Sequence, residues 1–268
     1  MKNFAIYGAI VDTDEERGTF EDATPAQFKS FISKLEEGEE LQVAINSPGG
    51  SVYGGIAIAN MIKQLQAKGH KTTAFVEGLA ASIASVIMCA CENVIMGESS
   101  LVMIHNCWSI VQGDANALRK EADTMDVMNE AIVSFYKSKF NLPVEALKAM
   151  MDEETWFSGR EAVDFGFKCE VLPDESGFSI AAKLKDFDLS KFKNKPKAII
   201  MEEQTKENVE QIEAALEEMV PPTADEADKQ PEAEEPKEET AAEEPVEETV
   251  PKAEVEKRVS GMQSAMAK

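Results

Sequence analysis

Short apolar runs closed by turn residues alternate along this chain with stretches in which apolar residues recur every three or four positions. Asn3 to Ile10 (NFAIYGAI) and Leu41 to Asn46 (LQVAIN) are of the first kind and predict strands. Between them Thr24-Pro25 opens a helical pattern through Phe28, Phe31, Ile32 and Leu35, with a threonine cap and a proline at the first helical position. A second helical pattern runs from about Val52 to Lys68 with Ile56, Ile58, Ala59, Ile62 and Leu65, and Gly69 stops it before a strand at Thr72 to Val76. A helix from about Ala81, strands near Val94 to Met96 and Leu101 to His105, a long helix from about Ala115 to Phe140 and a shorter one after Pro143 follow. Strands and helices in this alternation predict an α/β fold of repeated strand-helix units.

The pattern ends near Ile200. Beyond it there is no Phe, Trp or Tyr, proline is frequent, and stretches such as AEEPKEETAAEEPVEE cannot bury enough surface to offset chain entropy. The expected organisation is a globular domain over 1–180, a linker over 181–200 and an acidic, largely disordered tail over 201–268. Within the tail Val209, Ile212, Leu216 and Met219 fall at helical spacing, a seam for a short self-associating helix over 203–219.

Charge sharpens this division. Lys and Arg number 27 against 50 Asp and Glu, a net charge of −23, and residues 201–268 alone hold 21 acids and 7 bases. So acidic a chain repels phosphate backbones, and no Lys/Arg stripe with interleaved aromatics offsets this, so no nucleic-acid partner is expected. Cys89, Cys91, Cys107 and Cys169 are scattered through apolar stretches, and the chain opens on a strand-like run, so a reduced, cytoplasmic protein is expected. The one-residue gap between Cys89 and Cys91 does not suit a zinc knuckle, and with two histidines in the chain no metal or other cofactor is expected. The longest apolar run, around Ala80 to Ala90, falls short of the roughly 18 residues of a membrane span and reads as a buried helix.

Two glycine-rich turns follow predicted strands: Asn46-Ser47-Pro48-Gly49-Gly50, and Gly78-Leu79-Ala80-Ala81-Ser82, which opens a helix. Ligands bind at that edge of an open α/β sheet because helix N-termini and free backbone N–H groups converge there. Gly49-Gly50 by itself reads first as a strand-to-helix turn needing positive φ. Ser82 sits among the small residues Ala80, Ala81, Ile83 and Ala84, where a nucleophile could meet a substrate backbone; the plain alternative is a helix N-cap or a small core residue. A serine hydroxyl needs a base within hydrogen-bond reach, usually an imidazole. His70 follows Gly69 between Lys68 and Lys71 and reads as a solvated cap residue. His105 ends the apolar run Leu101-Val102-Met103-Ile104 and faces the same edge as Ser82, with a satisfied core histidine as the alternative.

Together INSPGGSVYGG, GLAASIAS, SSLVMIH, the following Gln112-Gly113, and WFSGREAVDFG resemble, in order, the motifs of Clp proteolytic subunits over about residues 3–173. The resemblance implies a ClpP/crotonase-like α/β fold with a long handle helix at Ala115 to Phe140, and a ring-forming homo-oligomer. It implies a serine endopeptidase in which Ser82 attacks the scissile carbonyl, His105 removes its proton, and the backbone N–H groups of Gly50 and Ile83 hold the oxyanion. The G-x-S-x-G elbow of α/β-hydrolases is absent.

The chain departs from the family pattern in two places. The family's acid is expected three residues after the glycine of the AVDFG-like segment, where this chain has Cys169; Glu170, Asp164 or no acid at all are the alternatives. The chain also enters its first strand by Asn3, which counts against a Clp-type ATPase partner. With the acidic tail, that resembles the head-maturation proteases of tailed bacteriophages and implies capsid or scaffold proteins as substrates, in the host cytoplasm. The rival readings are a crotonase-like acyl-CoA enzyme and a non-catalytic ring-forming assembly or scaffold protein.

Overall fold

The computed structural model describes residues 1–173 and 187–196. Its elements run β1 (Lys2–Ile6), α1 (Pro25–Ile32), β2 (Leu41–Ser47), α2 (Val52–Ala67), β3 (Thr72–Ala81), α3 (Ile83–Ala90), β4 (Asn93–Gly97), β5 (Leu101–Ile104), α4 (Ala115–Lys139), α5 (Val144–Asp152), β6 (Thr155–Ser158) and β7 (Glu170–Leu172), with a 3₁₀ turn at Asp14–Glu16. The expected α/β architecture of repeated strand-helix units is present.

Local chemistry starts the helices where the sequence places them. Thr24 and Gln27 form a reciprocal capping box before Pro25. Ser51 Oγ accepts from Gly54 N at 3.1 Å, and Asp114 Oδ1 accepts from Asn116 N and Ala117 N at the head of α4. All eight residues of α3 are buried, as its unbroken apolar run requires.

Strands β1, β2, β3, β4 and β7 lie side by side in that order, all parallel. β2 is buried on both faces, as in a parallel sheet covered by helices on each side. The sheet forks at β3. Its first half, Thr73 to Val76, pairs with Asn93 to Met96 of β4; its second half, Leu79 to Ala81, pairs with Leu101 to Met103 of β5. At the fork the register against β2 slips, from Ile45 opposite Val76 to Ser47 opposite Ala80, and the Asn46 side chain fills the gap by accepting from Leu79 N at 3.1 Å.

This corrects the expectation of a turn over Gly78 to Ala81. The segment continues the strand because β5 supplies a second partner that no local pattern reveals. Strands β6 and β7 were also not expected; each is short, and each depends on a partner strand remote in sequence. Inside the expected linker, residues 187–196 are described, and Leu189 and Phe192 are each 3% exposed. They pack with Leu79, Ala81, Leu101 and Met103 in a small apolar cluster of their own. The acidic tail and its candidate helix over 203–219 lie outside the described residues. Among those described, no helix is long and apolar enough to cross a membrane.

Candidate active site

The register of β3 against β5 sets the site. Ala81 pairs with Met103 in parallel, so Ser82 and His105 leave the sheet at the same edge. Ser82 Oγ lies 2.7 Å from His105 Nε2. With the hydroxyl donating, Nε2 accepts, which assigns the ring proton to Nδ1.

Ser82 has φ 55° and ψ −127°, a conformation that costs a non-glycine residue about 1–3 kcal/mol and persists only where the surroundings impose it. They do so from both sides. Ser82 N donates to Met103 O at 2.9 Å, while Ser82 O accepts from Ser85 N at 3.0 Å and from Ser85 Oγ at 2.6 Å. Ser85 Oγ in turn lies 2.8 Å from the hydroxyl of fully buried Tyr136 on α4. Although Ser82 occupies the N-cap position of α3, its side chain makes no capping hydrogen bond. The N-cap alternative therefore falls, and the hydroxyl is directed at the imidazole.

Burial lowers the pKa of His105 below the ordinary imidazole value; the charge of Lys191 acts in the same direction and that of Glu154 opposes both. The neutral, proton-accepting ring thus persists to lower pH than in water.

The antiparallel pairing of β5 and β6 brings Glu154 to the cavity that His105 lines. The last pair of that ladder is Ile104 with Thr155, and His105 and Glu154 are the residues that directly adjoin that pair on the two strands. Glu154 is 9% exposed and holds φ 50° at the end of α5. Its Oε1 accepts from Asn194 N at 2.8 Å and from the Trp156 indole N–H at 3.3 Å. Among the described residues, Glu154 is the carboxylate whose charge raises the His105 pKa. It also shares with His105 the wall of a cavity of about 450 Å³.

The acids weighed from sequence lie elsewhere. Glu170 is exposed on β7, opposite Ile95 of β4, and Asp164 is exposed in the turns before Gly166. Cys169 is half-buried, with its thiol pKa pushed up by burial. Glu154 was not among the acids weighed, because Asp152-Glu153-Glu154 reads as the solvated end of a helix. Its position directly before the WFSGREAVDFG motif was the available signal.

Gly49 approaches Ser82, and Gly50 approaches Ile10, more closely than any residue with a Cβ could. A Cβ on Gly49, at φ 88°, would lie 2.7 Å from Ser82 Cβ and 3.2 Å from Ile83 N; one on Gly50, at φ 148°, would lie 2.1 Å from Ile10 O. Ile10 fixes the pair, its N–H donating to Gly49 O at 2.9 Å and its carbonyl accepting from Ser51 N at 2.7 Å. Ile83 is the first residue of α3, so its N–H has no acceptor within the helix. His70 serves elsewhere, with Nδ1 2.9 Å from Glu39 O before β2.

Gly50→Ala is expected to lower kcat by about 10²–10³, the usual cost of losing one donor of the oxyanion hole that the Clp-type resemblance implies, because the methyl must move the turn off Ile10. Steady-state kinetics on a peptide substrate, with thermal unfolding as the check on folding, measures this.

An α/β sheet that presents a strained serine to a half-buried imidazole, with a glycine turn packed against that serine, is an arrangement suited to a serine hydrolase. The family model described as Clp protease matches residues 21–175, more than half of the chain, and the chain belongs to that family. It is 29% identical over 146 residues to proteolytic subunit 1 of the ATP-dependent Clp protease of Protochlamydia amoebophila, covering 53% of this chain and 69% of that protein. Against the corresponding subunit 1 of Chlamydia pneumoniae the identity is 32% over 146 residues, with 53% and 75% covered. Against the proteolytic subunit of Porphyromonas gingivalis it is 28% over 147 residues, with 53% and 64% covered. Family membership makes the protein a peptidase.

Proposed function

We propose that this protein is a serine endopeptidase in which Ser82 is the nucleophile and His105 its general base. The observation that carries the reading is the 2.7 Å contact between Ser82 Oγ and His105 Nε2, made by a serine in strained backbone geometry. Ser82 Oγ attacks the scissile carbonyl carbon as its proton passes to Nε2, and the carbonyl oxygen becomes an oxyanion received by the N–H groups of Gly50 and Ile83. His105 then gives the proton to the departing amine, leaving an acyl-enzyme that water hydrolyses by the same steps. Glu154 stabilises the imidazolium formed on the way, so in this reading it takes the role the sequence left among Glu170, Asp164 and no acid.

The finer biological role is part of the same proposal. The protein acts on protein or peptide substrates as a ring homo-oligomer in the cytoplasm, that of the host if phage-encoded, during capsid maturation. What supports this is the acidic segment joined to a Clp-type core, with a charge excess suited to a scaffold-like role. The Clp-type resemblance also supports the ring.

A fluorophosphonate probe with a casein cleavage assay tests the activity. Wild type is expected to label and to cleave, and Ser82→Ala to do neither. Rings that neither label nor cleave would favour the assembly protein, and acyl-CoA turnover without labelling would favour the crotonase-like enzyme.

A further inference from the structure

We propose that residues 187–196, which lie beyond the region matched by the family, form a strap that holds His105 and Glu154 in register for proton transfer, with Phe192 and Asn194 as positioning residues. This inference rests on the reading of Ser82 and His105 as the catalytic pair.

Three independent contacts carry it. Phe192 meets the His105 ring edge-on, with centroids 5.9 Å apart and planes at 75°, and meets Trp156 in the same way at 5.5 Å and 80°. The strap's main chain reaches the acid directly, since Asn194 N donates to Glu154 Oε1 at 2.8 Å while Asn194 Nδ2 donates to Glu153 O at 2.5 Å. Leu189 and Phe192 then clamp Leu79, Ala81, Leu101 and Met103, which belong to the two strand ends that present Ser82 and His105.

An imidazole hydrogen-bonded only through Nε2 keeps freedom to rock about that bond. An aromatic edge against the ring and a carboxylate pinned by a backbone N–H remove that freedom, and errors of about 1 Å at such a site cost up to about 10²-fold in rate. The strap supports the site rather than plugging it. Among the described contacts none of its residues touches Ser82, Gly49, Gly50 or Ile83, and Phe192 is buried as a core residue is.

The charged and titratable groups around His105 are Glu154 and Asp152 at the end of α5, Cys107 after β5, and Lys191 and Lys193 on the strap itself. Of these, Lys191 opposes protonation of the ring. The strap therefore adds a lysine to the setting of the base as well as a wall.

The test uses the full chain carrying Phe192→Ala, Phe192→Leu or Lys191→Met. It measures fluorophosphonate inactivation rate against pH, kcat and KM on a peptide, and the thermal midpoint. Phe192→Ala is expected to lower kcat and the inactivation rate together by about 10- to 100-fold with KM within about threefold. Phe192→Leu, which keeps the apolar packing but has no ring edge, is expected to fall between it and wild type. Lys191→Met is expected to move the acid limb of the rate profile to higher pH.

Should Phe192→Ala lose its fold, Phe192→Leu decides. Wild-type rates and an unmoved acid limb in the folded variants would overturn the strap while leaving the catalytic pair intact. A rise in activity would overturn it in favour of a covering lid. A wild-type protein that does not label at all would overturn both readings.

Discussion

Ser82→Ala is expected to lower kcat by about 10⁶ and to abolish fluorophosphonate labelling, with little change in KM. In the proposed reaction the Oγ is the atom that bonds to carbon, and His105 Nε2 is aimed at it from 2.7 Å. Without that oxygen the imidazole has only solvent water to activate, at an undefined position, and the remaining catalysis is what the oxyanion donors supply. Stability should move little, because alanine still pays for φ 55° at this position. Ser82→Gly should be equally inactive yet more stable by about 0.4–1 kcal/mol, since glycine adopts that backbone without strain. Denaturant unfolding of the two variants separates the loss of the nucleophile from the relief of strain. If the acidic tail is trimmed by Ser82, both variants keep full-length mass where wild type shortens. Activity of Ser82→Ala within tenfold of wild type would sink the proposed mechanism.

Glu154→Gln is expected to have the second largest effect, a fall in kcat of about 10²–10⁴, as when the group behind a catalytic histidine loses its charge. The amide keeps the size of the side chain and can still accept from Asn194 N, so the loss isolates the charge. Its sign is visible in the pH profile. The carboxylate favours the imidazolium, opposing burial and Lys191, so its removal moves the His105 pKa further down. The acid limb of kcat/KM, which reports the free enzyme, should therefore move to lower pH even as the plateau falls. Glu170→Gln and Asp164→Asn, on residues exposed and outside the His105 cavity, should stay within about threefold of wild type. A fall for Glu170→Gln as large as for Glu154→Gln would return the acid to β7.

The fold was legible where local pattern and tertiary context agree. The capping residues Thr24, Ser51 and Asp114 mark helix starts by bonds made within a few residues, and the buried runs of β2 and α3 are apolar because both faces are covered. Gly78 to Ala81 misled because glycine beside small residues usually turns a chain. Here those residues are small because they lie in a strand between two neighbours, one of them 22 residues further on in β5. Leu189 and Phe192 were hidden for a related reason. Two apolar residues among lysines and acids resemble a linker until a cleft between Trp156 and His105 is present to receive them.

The sequence by itself determined the alternation of strands and helices from β1 to α5 and the family. It also singled out Ser82 and His105 as candidates, because hydrophobic period, caps and a serine ahead of a small-residue helix are all local chemistry. The tertiary structure brought Glu154 to the cavity it shares with His105. That proximity depends on the register of β5 against β6, which sets Ile104 beside Thr155 and brings the adjoining His105 and Glu154, 49 residues apart in the chain, to one cavity. Proximity across an antiparallel ladder follows from pairing, not from spacing, and no count along the sequence from Gly166 could have found it.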